Sequence, residues 1–295
     1  VASSILKIAL DHIDWHGSYS EYAKSKLDLL SRSVTAILNG DDAAVVEGSQ
    51  HWQGRKVFYT LQTPKPGEIG LVEDLLVDRA FVADPMEAAM FCELNEVQPT
   101  APHSVSNALA AAGLARAIGI DNEVIRSAIK KFRPGRHRIE LVLEQNGIRW
   151  IDDSKATNPH AAQASVMSEL SVVWIAGGLA KGAEMNELIA QVGSRLRAVV
   201  LIGTDRELIA HELQSNFPNV SVVRVDPKPG HDRSSADNNF MNQIVTEAKH
   251  LAQSGDAVLL APACASMDQF LSYGDRGDRF AKSVREIVGK NDNAR

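Results

Sequence analysis

The chain has 295 residues, of which 44% are hydrophobic and 23% charged, and its formal net charge is −6 at pH 7. This length suits two domains that each bury a core, and the acidic balance argues against a nucleic-acid partner, whose phosphates need a basic surface. No apolar run approaches the ~20 residues that a membrane-spanning helix needs, so we expect no membrane span.

Two observations concern the setting of the protein. Its two cysteines, Cys92 and Cys264, are far apart and form no CxxC pair, so neither a zinc site nor a disulfide is predicted, and a reducing cytoplasm fits. The first six residues, VASSIL, lack the charged and long apolar regions of a signal peptide. They resemble the middle of a strand and do not begin with Met, and we therefore expect the sequence to be a fragment.

Short apolar runs predict two strands and a hairpin in the first part of the chain. The strands cover residues 4–8 and 33–38, and a turn at residues 39–42 ends the second strand. Weak alternation over 68–82 is interrupted at Glu73-Asp74, which is typical of a hairpin.

Two helices are predicted around these strands. The first begins near Ser20 and places Tyr22 and Lys26 on one face at helical spacing. The second is rich in alanine and covers 104–118, with Ser104 as its N-cap.

A domain boundary is predicted just after a third helix. This helix is capped by Asp121 and ends near residue 132, and the segment Arg133-Pro134-Gly135-Arg136 follows it. Because proline and glycine interrupt helical structure, we place the boundary there, between domains 1–133 and 134–295.

Beyond the boundary, short apolar strands alternate with amphipathic stretches, including one clear helix between residues 235 and 254. This alternation favours an α/β domain with a doubly wound, mostly parallel sheet. The predicted strands cover residues 141–144, 149–151, 172–175, 198–202, 220–225 and 257–260.

Polar turns follow two of these strands. One contains Asp153, Lys155 and Thr157, and the other is the segment 261–270. If residues 149–154 are extended, alternation places the carboxylate, the ammonium and the hydroxyl on one side of the backbone. Ligands bind at the carboxyl ends of strands in α/β sheets, so the grouping predicts a site, although each residue alone also fits a helix cap or a solvated position.

These turns carry a family resemblance. The run DSKATN at 153–158, with PACASMDQF at 262–270 and RGDRF at 276–280, resembles the D-glutamate-adding ligases of the Mur ligase family. The segments DHIDWHG at 11–17 and HRIE at 137–140 fit the same family, so the resemblance covers essentially the whole chain.

The resemblance implies ATP-dependent amide-bond formation in peptidoglycan precursor synthesis, and hence a role in cell-wall biogenesis, cell shape and cell division. In this reaction ATP phosphorylates the carboxylate of UDP-N-acetylmuramoyl-L-alanine, and the D-glutamate amine attacks the acyl phosphate. The implied fold is the second half of the central ATPase domain, at 1–133, followed by a complete, Rossmann-like glutamate-binding domain at 134–295. The protein would be a cytoplasmic monomer.

The resemblance assigns His12, Lys26 and Lys155 to catalysis. His12 matches a metal-ligand histidine of the family, and Lys26 matches a lysine that is carbamylated there. Carbamylation turns an ammonium into a carboxylate-like group that can bind Mg²⁺, which prefers oxygen ligands and neutralises charge on the transferring phosphoryl group. Without the resemblance, His12 fits a structural histidine and Lys26 a solvated lysine.

For the nucleotide, the matching positions are Ser104, Asn107, Arg138 and Asp153, with Asp153 expected to receive the ribose hydroxyls. The planar guanidinium of Arg138 suits phosphate, although an arginine near the domain boundary also fits a salt bridge. Ser104 departs from the family, which usually has asparagine at this position.

For D-glutamate, the matching positions are Thr157, Lys181, Ser266 and Tyr273. A dianionic amino acid needs donors at both carboxylates. Lys181, in the glycine-rich loop 177–182, would supply a cation. Ser266 would lie near a helix start and add a hydroxyl and backbone N–H groups, a position that equally fits an N-cap.

One expected motif does not occur in the sequence. No G-x-x-x-x-G-K-[ST] phosphate loop is present in these 295 residues, so we expect the isolated chain not to ligate. Two alternatives stay open: a non-catalytic remnant that binds nucleotide or D-glutamate, and a sister ligase such as folylpolyglutamate synthase. A dehydrogenase is disfavoured because no strand leads into G-x-G-x-x-G.

Overall fold

The structure is a computed structural model that describes residues 2–9, 13–84, 86–230, 232–235 and 237–289. It divides into two units, Val1–Arg133 and Pro134–Arg295, and each contains a six-stranded sheet. None of the helices within the described ranges has the length and apolar character that a bilayer crossing requires.

The sheet of the first unit follows chain order. Its strands are β1 (Ala2–Ile5), β2 (Thr35–Asn39), β3 (Arg55–Tyr59), β4 (Ile69–Val72), β5 (Leu75–Asp78) and β6 (Ala89–Glu93). The first four are parallel, whereas β5 pairs antiparallel with β4 and β6. The predicted hairpin is confirmed, and Glu73, with φ of 54°, lies between its two strands.

The helices of the first unit differ from prediction mainly at their starts. They are α1 (Ile13–His16), α2 (Tyr19–Leu27), α3 (Ala43–Gly48), α4 (Pro102–Ala117) and α5 (Asn122–Lys131). The prediction that Ser104 caps α4 is wrong: Ala101 is the N-cap, and Ser104 lies inside the first turn. Pro102 explains the earlier start, because proline is favoured at the first helical position. Asp121 is the N-cap of α5 as predicted, without a side-chain capping bond.

The sheet of the second unit has the order β11-β10-β9-β12-β8-β7. Its strands are β7 (Glu140–Gln145), β8 (Ile148–Asp152), β9 (Val172–Gly177), β10 (Leu196–Ile202), β11 (Ser221–Arg224) and β12 (Ala257–Leu260). All pairs are parallel except β7 with β8. The predicted doubly wound, mostly parallel α/β sheet is therefore confirmed.

Helices cover both faces of this second sheet. They are α6 (Pro159–Met167), α7 (Asn186–Val192), α8 (Arg206–Asn216), α9 (Asn239–Leu251) and α10 (Tyr273–Ile287). One core contains Val166, Ile189 and Ile209, from α6, α7 and α8. The other contains Ile244 of α9 and Val284 of α10. Every residue of β9 is buried, which explains why this strand is apolar without alternation.

The strand order positions the candidate site. The last strand, β12, lies between β8 and β9, and all three are parallel. Their carboxyl ends therefore lie at one edge of the sheet, where ligands bind in open α/β folds. The extended segment ends at Asp152, earlier than predicted, so alternation does not govern residues 153–157.

Candidate functional site

Three loops meet at this edge and are hydrogen-bonded to one another. The Ala263 N–H, after β12, donates to the Ala156 carbonyl, after β8, at 2.9 Å. Leu179, after β9, and Ala265 exchange two backbone hydrogen bonds, each of 2.9 Å. The loops that carry the predicted residues 155, 157, 181 and 266 are therefore joined into one structure.

Two glycines allow the loop after β9 to make these contacts. Gly177 has φ of +112°, and a Cβ there would lie 1.9 Å from the Ile202 carbonyl oxygen. Gly178 has φ of +137°, and a Cβ there would lie 2.1 Å from the Ala265 carbonyl oxygen. Only glycine fits both positions, because left-handed backbone and close approach coincide.

The loop after β10 supports the same segment. The Asp205 N–H donates to the Gly178 carbonyl at 3.0 Å, and the Asp205 carboxylate accepts from the Ala180 N–H at 2.8 Å. Lys181 comes directly after these contacts. It is exposed and has φ of 53°, so its side chain projects from a fixed backbone.

Asp153 is buried beneath this edge. Its carboxylate accepts hydrogen bonds from the Ser165 hydroxyl and from the Ile139 backbone N–H. Burial raises the pKa of Asp153 to about 6, against the lowering effect of these two donors, while Asp152 raises it and Arg138 lowers it further. Arg138 itself is exposed.

Lys155 and Tyr273 form a contact that the sequence did not predict. The Lys155 Nζ lies 5.3 Å from the centroid of the Tyr273 ring, in cation–π geometry. His137 contacts the same ring edge-on, with centroids 6.4 Å apart. Lys155 and Thr157 are each partly exposed, whereas Asp153 is buried. We call the Tyr273 ring beneath the Lys155 ammonium the aromatic platform.

His137 belongs to a buried polar cluster next to this platform. Its Nδ1 lies 2.7 Å from Asp152 Oδ2, and its backbone N–H donates to Glu140 at 3.0 Å. Burial raises the pKa of Asp152, whereas the His137 hydrogen bond lowers it. Ligand atoms of the three residues lie within 4.8 Å of one another, but those of His137 and Asp152 already bond to each other. We therefore interpret the cluster as a hydrogen-bond network rather than a metal site.

Ser266 is buried and begins a turn, in which the Gln269 and Phe270 N–H groups donate to its carbonyl at 3.1 and 2.9 Å. The prediction that it lies near a helix start is wrong. The next helix, α10, begins at Tyr273 and is capped by Ser272.

Arg276 is the most buried charged residue at this edge, with 0% of its surface exposed. Its Nε donates to the Ser154 hydroxyl and its Nη2 to the Ser154 carbonyl, each at 2.9 Å. Both Nη atoms also lie 3.3 Å from the Cys264 carbonyl oxygen. Burial lowers the pKa of Arg276 to about 10.

The candidate residues of the first unit are less constrained. The Lys26 ammonium donates to the Lys7 carbonyl at 2.9 Å and lies 4.9 Å from the centroid of the Tyr22 ring. On α4, Ser104 is partly exposed and Asn107 is exposed. His12, the second predicted metal ligand, lies outside the described residues.

Sequence reasoning missed the side chains that hold the site rather than line it. His137, Asp152, Ser154 and Arg276 all belong to or adjoin motifs that were singled out, but no role was predicted for them. The sequence offered only a glycine, Gly277, within a helical segment. In the structure a Cβ at that position would lie 2.2 Å from His137 Nδ1, so α10 passes close to the HRIE segment.

Comparison with protein-family models matches both units. The Mur ligase middle domain matches residues 2–115, and the Mur ligase glutamate ligase domain matches residues 137–264.

Curated relatives match nearly the whole chain. A UDP-N-acetylmuramoylalanine–D-glutamate ligase of Thermobifida fusca is 47% identical over 292 residues, which cover 98% of this chain and 61% of the relative. The ligase of the same name from Streptomyces avermitilis is 48% identical over 97% of this chain and 61% of the relative. The chain thus spans 61% of the length of these relatives.

Solved structures share the fold at low sequence identity. A pseudomurein peptide ligase type C from Methanothermus fervidus has a TM-score of 0.68 and 15% identity over 97% of this chain and 63% of its own. MurF ligase from Thermotoga maritima, solved in complex with ADP, has a TM-score of 0.64 and 16% identity over 98% and 62%.

Proposed function

We propose that this chain, which belongs to the Mur ligase family, is the nucleotide- and glutamate-handling part of an ATP-dependent ligase that joins D-glutamate to UDP-N-acetylmuramoyl-L-alanine. The reaction serves peptidoglycan precursor synthesis in the cytoplasm. The observation that carries the proposal is the joined edge of the second sheet. There the loops after β8, β9 and β12 bring Lys155, Lys181 and Ser266 onto one hydrogen-bonded frame, in a chain 47% identical to ligases of that name.

We assign D-glutamate to this frame. A glutamate carries two carboxylates, and the frame offers the Lys181 ammonium and the Ser266 hydroxyl as donors, on loops that are bonded together through Leu179 and Ala265. Thr157 adds a hydroxyl, and Tyr273 supplies an aromatic wall. Binding of this kind orients the amine for attack on the acyl phosphate, in which a C–N bond forms and inorganic phosphate leaves.

We assign contacts with the nucleotide to Ser104 and Asn107 within the first unit and to Arg138 and Asp153 within the second. The exposed guanidinium of Arg138 can donate two parallel hydrogen bonds to a phosphate. An ionised Asp153 can accept from ribose hydroxyls at both of its carboxylate oxygens, and its pKa of about 6 allows ionisation at neutral pH. The Ser165 hydroxyl already donates to one oxygen of the Asp153 carboxylate. A ribose hydroxyl that binds at this oxygen must therefore replace Ser165 or donate to the same oxygen beside it.

Mg²⁺ fits the surroundings of Lys26 if the lysine is carbamylated. The carbamate nitrogen keeps one hydrogen, which can still donate to the Lys7 carbonyl, and the partly exposed position leaves room for the added carboxyl group. The metal would be held by this group with His12, and it would neutralise charge on the transferring phosphate. In the second unit, the Lys155 ammonium is a positive charge that can bind a phosphoryl oxygen.

A second function, ligand binding without ligation, is favoured for the isolated polypeptide by one observation. Its 295 residues contain no phosphate loop. We therefore propose that this polypeptide, assayed alone, binds D-glutamate and releases no ADP from ATP when D-glutamate and UDP-N-acetylmuramoyl-L-alanine are added.

Isothermal titration of the chain with D-glutamate and with L-glutamate tests the proposal. We expect D-glutamate to bind at least about tenfold more tightly, a difference of about 1.4 kcal/mol. Preference for L-glutamate would instead favour a sister ligase, and binding of neither enantiomer would contradict the assignment of the pocket. D-glutamate-dependent release of ADP would overturn the proposal that the isolated chain does not ligate.

A further inference from the structure

We propose that Arg276 is a positioning residue for the glutamate pocket: its buried guanidinium holds the loop after β8 and the loop after β12 at a fixed separation, so that Lys155, Ser266 and Tyr273 converge. The proposal rests on the proposed function for the identity of the ligand. The hydrogen bonds that support it are independent of that function.

The burial of Arg276 needs an explanation. Its side chain is completely buried, and the described residues provide no carboxylate within ion-pair distance of it. A buried charge without a counter-ion is costly, and an apolar side chain of similar volume generally packs at lower cost. Stability alone therefore does not account for a guanidinium at this position.

The hydrogen bonds of Arg276 show what the guanidinium does. Its acceptors are the Ser154 hydroxyl and carbonyl on one loop and the Cys264 carbonyl on the other. These residues are 122 and 12 positions away in the sequence. A planar group with five donors can bond to both loops at once, whereas the ammonium of lysine is a single point of charge.

The held loops carry the pocket residues directly. Ser154 precedes Lys155, and Cys264 lies two positions before Ser266. The Ser154 hydroxyl also donates to the Tyr273 carbonyl at 2.7 Å, so the same hydroxyl links Arg276 to the aromatic platform under Lys155. One side chain thus fixes two of the four residues assigned to D-glutamate, Ser266 and Tyr273, together with Lys155.

Arg279 provides a matched control on the same helix. It also bonds to backbone carbonyls, those of Asp237, Arg233 and Ser235, and its side chain is 12% exposed. Those three carbonyls lie in the segment before α9, and a fourth acceptor is the Asp275 carboxylate on α10 itself, 2.8 Å from Arg279 Nε. None of the four is on the loops after β8 or β12. Arg279→Met therefore removes a comparable set of hydrogen bonds without touching the frame.

The test measures two quantities on the full 295-residue chain for Arg276→Met, Arg276→Lys and Arg279→Met. The first is the dissociation constant for D-glutamate, and the second is amide hydrogen exchange of residues 153–158 and 263–266. We expect Arg276→Met to weaken D-glutamate binding at least tenfold and to speed exchange in both loops, and Arg276→Lys to recover part of each. Arg279→Met is expected to leave affinity within twofold and exchange in these loops unchanged.

Ser154→Ala covers the case in which Arg276→Met does not fold. This smaller change removes the hydroxyl between Arg276 and Tyr273 and keeps the bonds to both carbonyls, and we expect a threefold to tenfold loss of affinity in a folded chain. Unchanged affinity in both folded variants, or equal losses in Arg276→Met and Arg279→Met, would overturn the inference.

Failure of the proposed function has a different signature. If the unmodified chain binds no D-glutamate, the identity of the ligand is wrong, and the exchange measurement alone decides the role of Arg276. Faster exchange confined to the two loops would then support it, and unchanged exchange would overturn it.

Discussion

The candidate residues of the two units are held in different ways. In the second unit, Lys155, Lys181 and Ser266 lie on loops that are bonded to each other and to buried side chains. In the first unit, Lys26 contacts one carbonyl and one ring face, and Asn107 is exposed on a helix surface. The contrast teaches that the fold itself fixes the loops assigned to D-glutamate, whereas Lys26 and Asn107 of the first unit have few contacts that fix their side chains.

Gly177→Ala should produce the largest effect if the frame is as rigid as the structure indicates. A Cβ there would lie 1.9 Å from the Ile202 carbonyl oxygen at φ of +112°, so the free energy of unfolding should fall by about 3–5 kcal/mol. Gly182→Ala is the matched control in the same loop, since its Cβ would contact nothing within 4 Å at φ of +81°. Gly182→Ala should lower the free energy of unfolding by only about 1 kcal/mol. If urea unfolding gave the same loss of unfolding free energy for both variants, the loop would have to shift enough to relieve the clash at residue 177.

The pH dependence of stability should report the burial of Asp153. Its folded pKa of about 6 lies above the ordinary value of 3.8. The folded state therefore binds the proton more tightly, and this group's contribution to stability decreases as pH rises from about 4 to about 6.

Asp153→Asn isolates that contribution. Between pH 4 and pH 7 the free energy of unfolding of the unmodified chain should fall by roughly 2–3 kcal/mol relative to that of the variant, measured by urea unfolding at each pH. A constant difference between the two proteins across this range would mean that Asp153 has an ordinary pKa and is not desolvated.

Ser165→Ala should have an intermediate effect, since it leaves the buried Asp153 carboxylate with one donor fewer. We expect a loss of about 1–2 kcal/mol at pH 7 and a further rise in the pKa of Asp153. Ser168→Ala, on the same helix end, removes only a hydroxyl bond to the Ser165 carbonyl, 2.6 Å long. NMR titration of the Asp153 carboxyl should show a shift in the first variant and none in the second; identical titration curves would contradict the contact.

Lys26→Met should have the smallest effect on stability. The lysine is partly exposed and makes one carbonyl contact and one cation–π contact, so the loss should be under about 1 kcal/mol. Lys24→Met, at an exposed position of the same helix, serves as the control. A loss of several kcal/mol confined to Lys26→Met would remove the contrast between the two units, because it would show that Lys26 is a structural anchor.

Sequence patterns predicted the sheet of the second unit well because its strands are short apolar runs separated by amphipathic helices. The predicted strand 257–260 matches β12, and 172–175 lies within β9. Helix starts were harder to predict. Serine is a residue type favoured at N-caps, but Pro102 starts the helix two residues before Ser104. Ser266 is followed by a turn, and the next helix begins only at Tyr273.

Sequence motifs drew attention to residues on the loops but not to the arginine that joins those loops. Lys155 and Lys181 stand on loops with recognisable motifs, whereas Arg276 lies on an amphipathic helix, where an arginine is ordinarily solvated. Its acceptors are far away in the chain, so no local pattern reveals them. The alternation that grouped residues 153, 155 and 157 also did not apply, because β8 ends at Asp152 and the buried Asp153 contacts Ser165 instead.

The central claim is that the joined loops of the second unit form a D-glutamate pocket. Amide chemical shifts of the ¹⁵N-labelled 295-residue chain, followed during titration with D-glutamate, test it most directly. We predict saturable shifts concentrated at residues 154–157, 179–182 and 264–266, with much weaker shifts for L-glutamate. Shifts that do not saturate, or that fall mainly on other residues, would contradict the account.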